Sequence, residues 1–164
     1  MARSKIKHFK GFSIVDGDIR VTLNMNRFER QFQRAQYQLD GAVMNSMVPF
    51  MPMINGTFIN ETRSQSAALQ GTGTVVAGAA PQGRYLYMGK TMVDEKTGSA
   101  WARRGAKKVL VSEFGGKTNA KPNLTYTKQA HPKAQSHWFD AAKKADGKKW
   151  IRDVKRTAGG GQRG

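Results

Sequence analysis

One stretch restricts the folding of this chain more than any other. From Asn26 to Met47, apolar or small side chains recur at Phe28, Phe32, Ala35, Leu39, Ala42, Val43 and Met47. Steps of three and four place them along one face of an α-helix. Asn26 stands where a cap belongs, and Glu29, three residues on, where a capping-box carboxylate reaches back. Pro49 then disfavours helical geometry at Val48, so the helix ends there. An amphipathic helix of about six turns is marginal alone in water, and its apolar face needs cover. Phe28, Phe32 and Leu39 are therefore candidate core or interface anchors.

The preceding residues supply an obvious cover. Phe12-Ser13-Ile14-Val15 leads into Asp16-Gly17, a pair suited to a two-residue hairpin turn because both positions tolerate positive φ. Asp18 to Met25 then alternates Ile19, Val21, Leu23 and Met25 with polar residues, the pattern of a half-buried strand. Ile19, Val21 and Leu23 are expected to lie against the helix. The fold class expected is α+β: a long helix in the N-terminal half packed on a small antiparallel sheet, with a second helix near the C-terminus. Residues 1–157 read as a single domain in which 1–10 form either a basic arm or a first strand. The glycine-rich 158–164 read as a disordered tail.

The middle of the chain carries weaker signals. Asn55-Gly56 marks a turn between short apolar runs. Residues 60–72, with Leu69 as an apolar anchor, suit a loop or a short helix. Gly73 to Gly78 reads as a short buried strand, Val109 to Val111 as another, and Leu124 to Thr127 as a last one. Asp94-Glu95-Lys96-Thr97-Gly98 is a polar turn, and Arg103 to Lys108 a basic loop beside Trp101. The second helix begins near Lys133 or Ser136 and runs to about Thr157. Trp138, Ala141, Ala142 and Ala145 share one face, extended by Trp150, Ile151 and Val154.

Charge enters because it selects partners. Twenty-eight Lys and Arg against 11 Asp and Glu give a net charge of +17. That balance suits an anionic partner such as nucleic acid, or a place inside an assembly with acidic neighbours. The candidate interaction or DNA-facing residues are Arg103, Arg104, Lys107, Lys108, Lys143, Lys144, Lys148, Lys149 and Arg152. Without cysteine, thiol catalysis and thiolate metal sites are excluded. His131 and His137 are six apart with Pro132 between, unlike a helical metal pair. No glycine-rich run ends in Lys-Ser or Lys-Thr. No cofactor, metal site or catalytic set is expected, and no apolar run reaches the length of a membrane span.

Three segments, in order, carry a resemblance. The first is the long helix ending in Val48-Pro49-Phe50, followed by Gly56 and a polar stretch with Ser64 and Ser66. The second is Pro81-Gln82-Gly83-Arg84-Tyr85-Leu86-Tyr87-Met88-Gly89. The third runs from His131-Pro132-Lys133-Ala134 through Trp138-Phe139-Asp140-Ala141-Ala142 to Trp150. Together they resemble the minor capsid and tail-completion proteins that join head to tail in long-tailed bacteriophages. Gln82-Gly83 stands where that family has Tyr-Ala, and Ile54-Asn55 where Asp-Thr is common.

The resemblance implies a non-enzymatic virion protein of the neck, made in the host cytoplasm. It implies a ring of copies, commonly sixfold, between the head connector or stopper proteins and the tail terminator or tail tube. The net charge of +17 adds non-specific contact with phage DNA as a candidate partner, and no membrane partner is expected. Phe50, Tyr85, Tyr87, Trp138 and Trp150 are the remaining candidate core or interface anchors. The alternative readings are a basic protein contacting DNA independently of sequence, a tail terminator, or a minor capsid-associated component.

Overall fold

The computed structural model describes residues 12–16, 19–23, 25–101 and 103–159. The expected arm at 1–10 and the tail beyond Gly159 lie outside these residues. The class is α+β. Helices α1 (Asn26–Met47), α2 (Thr57–Leu69), α3 (Gly83–Met88) and α4 (Trp138–Ala158) accompany two antiparallel strand pairs. Strand β1 (Phe12–Asp16) pairs with β2 (Ile19–Leu23), and β3 (Met92–Asp94) pairs with β4 (Lys108–Leu110).

The single domain expected over 1–157 is built as two compact units of interleaved chain. The described residues up to Ser46, Arg63–Val76 and those from Ala142 onward form the first; Met47–Thr62 and Ala77–Ala141 form the second.

In the first unit, α1 begins one residue from the expected cap: the Glu29 N–H closes on the Met25 carbonyl at 2.9 Å. The Glu29 carboxylate accepts from Gln33 Nε2, one turn along. The hairpin forms with Asp16 opposite Ile19, so the link is Gly17-Asp18, outside the described residues, and not Asp16-Gly17. Of its expected cover for α1, Ile19 needs correction. Ile19 is 68% exposed and Val15 60%, while the side chains of Val21 and Leu23 are not among those described.

The buried stripe of α1 is Ala35, Asp40, Val43 and Met44, with Phe28 exposed and Phe32 and Leu39 half-buried. Burying the larger apolar members stabilises by about 1.5–3 kcal/mol each. Two helices lie along α1. Arg63 Nη2 donates to Asn45 Oδ1 and Gln70 Nε2 to the Tyr37 carbonyl, so α2 runs antiparallel to it. Trp150 Nε1 donates to Ser46 Oγ and Thr157 Oγ1 to Gln38 Oε1, so α4 is antiparallel too. At Gly41 a Cβ would stand 2.7 Å from Gln70 Nε2, the far end of that flexible side chain. The helix reading of 60–72 therefore holds up to Leu69.

Asp40 is a carboxylate on the apolar face of α1, only 4% exposed. Gln36 Nε2 donates to its Oδ1 at 2.8 Å; the backbone N–H groups of Gly71 and Gly73 donate to its Oδ2 at 2.7 and 3.1 Å. Both glycines have positive φ, 88° and 77°, and their amides, on either side of Thr72, meet at the same carboxylate oxygen. The turn after α2 is thereby tied to the middle of α1. Residues 73–78, expected as a strand, have no strand partner among the described residues. Ser66 replaces one: its Oγ donates to the Val76 carbonyl and accepts the Val76 N–H, both at 3.1 Å.

In the second unit Pro49 ends α1 as expected, through a 3-10 turn over Val48–Phe50. Asn55 Oδ1 accepts the Thr57 N–H, so the Asn55-Gly56 turn starts α2. Met47, Met51 and Trp138 are fully buried, as are Val93 and Ala79. Residues 83–88, a short apolar run after Arg84, are helical. The helix ends in a Schellman arrangement: Gly89 has φ 69°, its N–H reaches the Leu86 carbonyl, and Lys90 N–H reaches that of Tyr85. The expected strand at 124–127 does not form; the preceding Asn123 makes a single bridge with Lys90. On α4, Trp138 and Ala142 are buried as expected, but Ala145 and Ile151 are exposed.

Asp40→Ala should lower stability in urea denaturation by about 1–3 kcal/mol, the range for leaving amide donors without a charged acceptor. Asp40→Asn, which keeps one acceptor oxygen, should lose less. Equal, negligible losses for both would show that the turn after α2 is not held by this carboxylate.

Candidate functional site

The three segments singled out in the sequence meet in the second unit. Trp138 is the point of convergence. Its Nε1 donates to the Ala77 carbonyl at 2.6 Å, and its ring stands edge-to-face on Tyr87 (5.0 Å between centroids) and Phe58 (6.0 Å). Such pairs add about 0.5–1.5 kcal/mol beyond the area they bury. His137 precedes it with φ 51°, an uncommon left-handed value for a residue with a Cβ. Its N–H is bonded to the Tyr87 carbonyl at 2.8 Å, and its ring lies 5.2 Å from that of Tyr87. Burial, then the Asp140 carboxylate, raises the Tyr87 phenol above its ordinary pKa.

The exit of α1 joins the same cluster. The Gln135 N–H donates to the Phe50 carbonyl, and His131 Nδ1 lies 2.8 Å from the Met51 carbonyl, a contact that requires the proton on Nδ1. Lys133 Nζ sits 5.8 Å from the centre of the half-buried Phe50 ring. The second segment is fitted by a glycine. A Cβ on Gly83 would stand 2.3 Å from the Gly78 carbonyl carbon, so even an alanine is sterically refused here. Tyr85 and Tyr87 are half-buried, and Tyr126 Oη donates to the Leu86 carbonyl behind them.

The basic loop of this unit is organised by one carboxylate. Asp94 is completely buried. It accepts the N–H groups of Lys96, Thr97 and Arg103, and its two oxygens take Arg103 Nε at 3.1 Å and Nη2 at 3.2 Å. The Arg103 guanidinium, followed by these amides, holds its carboxyl well below the ordinary range despite burial. Arg103 is thus committed to the loop, although more than half of its side chain remains exposed. Lys108 Nζ donates to the Ala100 carbonyl at 3.0 Å. Arg104 and Lys107 are exposed, beside a Trp101 that is 89% exposed.

The second basic group, Lys143, Lys144, Lys148, Lys149 and Arg152, lies on α4 in the first unit, and all five are exposed. The expected basic residues therefore form two surfaces in different units. The anchors divide likewise: Phe50, Tyr85, Tyr87 and Trp138 belong to the second unit, Phe28, Phe32, Leu39 and Trp150 to the first. Trp150 is 8% exposed.

The sequence reading missed Asp40 and the organising part played by Asp94. Asp40 was detectable as a lone acid on an apolar helix face, which demands a partner. Among the described residues no three of His, Asp and Glu gather closely enough to hold a metal ion. None of the described helices is long and apolar enough to cross a membrane. The arrangement offers charge, shape and exposed apolar side chains to a partner. No family model, curated protein or solved structure matches the chain.

Two outcomes test this construction. Gly83→Ala should destabilise by about 1–3 kcal/mol through overpacking, read by thermal or urea unfolding; wild-type stability would mean that Gly78 and Gly83 are not in close approach. Asp94 has a depressed folded-state pKa, so its contribution is complete above the unfolded value near 3.9 and fades as pH falls toward the folded one. Asp94→Asn should therefore lower stability at neutral pH and flatten the loss between about pH 4 and 2. An unchanged acid limb would remove Asp94 from this role.

Proposed function

We propose that this chain is a non-enzymatic structural protein of a tailed bacteriophage, a subunit of the neck that completes the tail and joins it to the head. The observation that supports the reading best is the convergence on Trp138. Three segments resembling the minor capsid and tail-completion family are separated by up to about 80 residues, yet they share one cluster of contacts. Residues that build one substructure are expected to be retained together, which chance likeness of separate peptides does not require.

On this reading the protein acts by binding. Copies form a ring, commonly sixfold, between the head connector or stopper and the tail terminator or tail tube. Heterologous contacts of this kind close into rings when the rotation permits. The second unit carries apolar side chains suited to such contacts: Ile54 is 90% exposed, Trp101 89% and Met88 47%. Exposed aromatics of this sort are typical anchors of protein interfaces. The place of action is the neck of the virion, with synthesis in the host cytoplasm.

Antibody labelling of purified particles should put this protein at the head–tail junction, and particles made without it should accumulate as separate filled heads and free tails. The purified chain should sediment as a monomer at micromolar concentration and become ring-bound only with a partner ring present. Joined, infectious particles formed without the protein would overturn the reading.

A further inference from the structure

Helix α4 sorts its charges by face. Lys144, Lys148, Arg152 and Lys155 follow one another at four, four and three residues, flanked by Lys149 and Arg156, and all six are exposed. The opposite stripe, Ala142, Asp146, Trp150, Asp153 and Thr157, follows the same spacing and is buried or half-buried. The acids in this part of the helix therefore sit on the inner side. Asp153 reaches Arg156 Nη2 at 3.5 Å and Arg152 Nε at 3.9 Å, both with exposed guanidinium groups. Lys144, Lys148 and Lys155 make no ion pair among the described residues.

Like charges one turn apart disfavour an isolated helix by about 0.2–0.5 kcal/mol per pair. The packing of α4 against α1 carries this repulsion, and a partner of opposite charge relieves it. The stripe runs about 16.5 Å, at 1.5 Å per residue. Over that length B-DNA presents about ten phosphates, one per 1.7 Å of axis.

The surface continues onto α1. The Thr157 hydroxyl is bonded to Gln38, and Gln38 lines an indentation of about 460 Å³ with Arg30, Arg34, Tyr37 and Thr72. By sequence, the segments of this unit hold 17 Lys and Arg against 6 Asp and Glu, a net +11 of the chain's +17.

We infer that this face of the first unit, with the Lys144–Lys155 stripe at its centre, binds the phosphate backbone of duplex DNA independently of sequence. The composition separates DNA from other anions. Protein interfaces are depleted of lysine and enriched in aromatics at their centre, whereas the outer stripe is lysine-rich without an aromatic. Single-strand binders stack bases on aromatic platforms, and α4 exposes only Ala145 and Ile151 among its apolar residues. The inference uses none of the contacts around Trp138 that support the neck reading.

The test uses the full chain and a fluorescent 20-base-pair duplex of arbitrary sequence, titrated across a salt series. The variant Lys144→Gln/Lys148→Gln/Arg152→Gln should bind about tenfold or more weakly at low salt, with the log–log salt slope reduced by about 2.7, at 0.9 per lost phosphate contact. Its thermal midpoint should equal or exceed that of the parent, which separates lost binding from lost folding. The matched control Arg104→Gln/Lys107→Gln/Lys121→Gln removes the same charge from the other unit and should keep the parental slope. Equal loss in both variants would reduce the effect to net charge and overturn the inference, as would no loss in the first. Poly-glutamate competing as well as DNA at equal charge would also overturn it, in favour of an acidic protein partner.

Discussion

A carboxylate buried on the apolar face of a helix is a constraint that everything nearby must satisfy. Asp40 occupies that position in α1, and removing it from water without donors would be costly. The donors it obtains are the amides of Gly71 and Gly73, with Gln36 as a third. Only a chain reversing directly after α2 with positive φ at both glycines can deliver those amides together. The position of that reversal, with the pairs Arg63–Asn45 and Gln70–Tyr37, sets the antiparallel register of α2 on α1. One charge therefore specifies geometry that apolar packing, being non-directional, leaves loose.

The second unit uses the same device for a loop. Asp94 gathers three amides and a guanidinium around one side chain, which turns an otherwise irregular segment into a defined one. The consequence for binding is a division of labour among basic residues. Arg103 holds the loop in shape, while Arg104, Lys107 and Trp101 remain exposed. Trp138 does the corresponding work for the apolar part, tying α3, the start of α2 and the Ala77 carbonyl to one indole.

Charge in this protein is organised by helix geometry as well as by amount. On α4 the lysines and arginines occupy the outer arc, and Asp146 and Asp153 the inner. Surface ion pairs such as Arg156–Asp153 contribute little to stability, so the outer cations are retained at a cost in helix repulsion. Duplex DNA, the partner proposed for this face, would recover that cost through phosphate neutralisation and counterion release.

Much of the secondary structure was legible in the sequence. The three-four spacing of α1, its stop at Pro49, the hairpin and the second helix through Trp150 are local signals, and each element formed. The net charge and the clustering of lysines on α4 were equally plain. Residues 83–88 and 73–78 were not legible, because short apolar runs fit a helix or a strand equally well. Gly89 and the Ser66–Val76 pair settled them through contacts outside the runs. The candidate site was legible as motifs but not as a place: nothing local joins Met51 to His131 or Ala77 to Trp138.

The cover for α1 shows the same limit. The sequence by itself determined that a long amphipathic helix ends at Pro49 and must be covered. Only the tertiary structure decided that α2 and α4 lie against it, with Ile19 left exposed and Asp40 at the centre of the buried stripe. The physical reason is that periodicity marks which residues avoid water, whereas a buried charge chooses its partner by donor geometry more than 30 residues away.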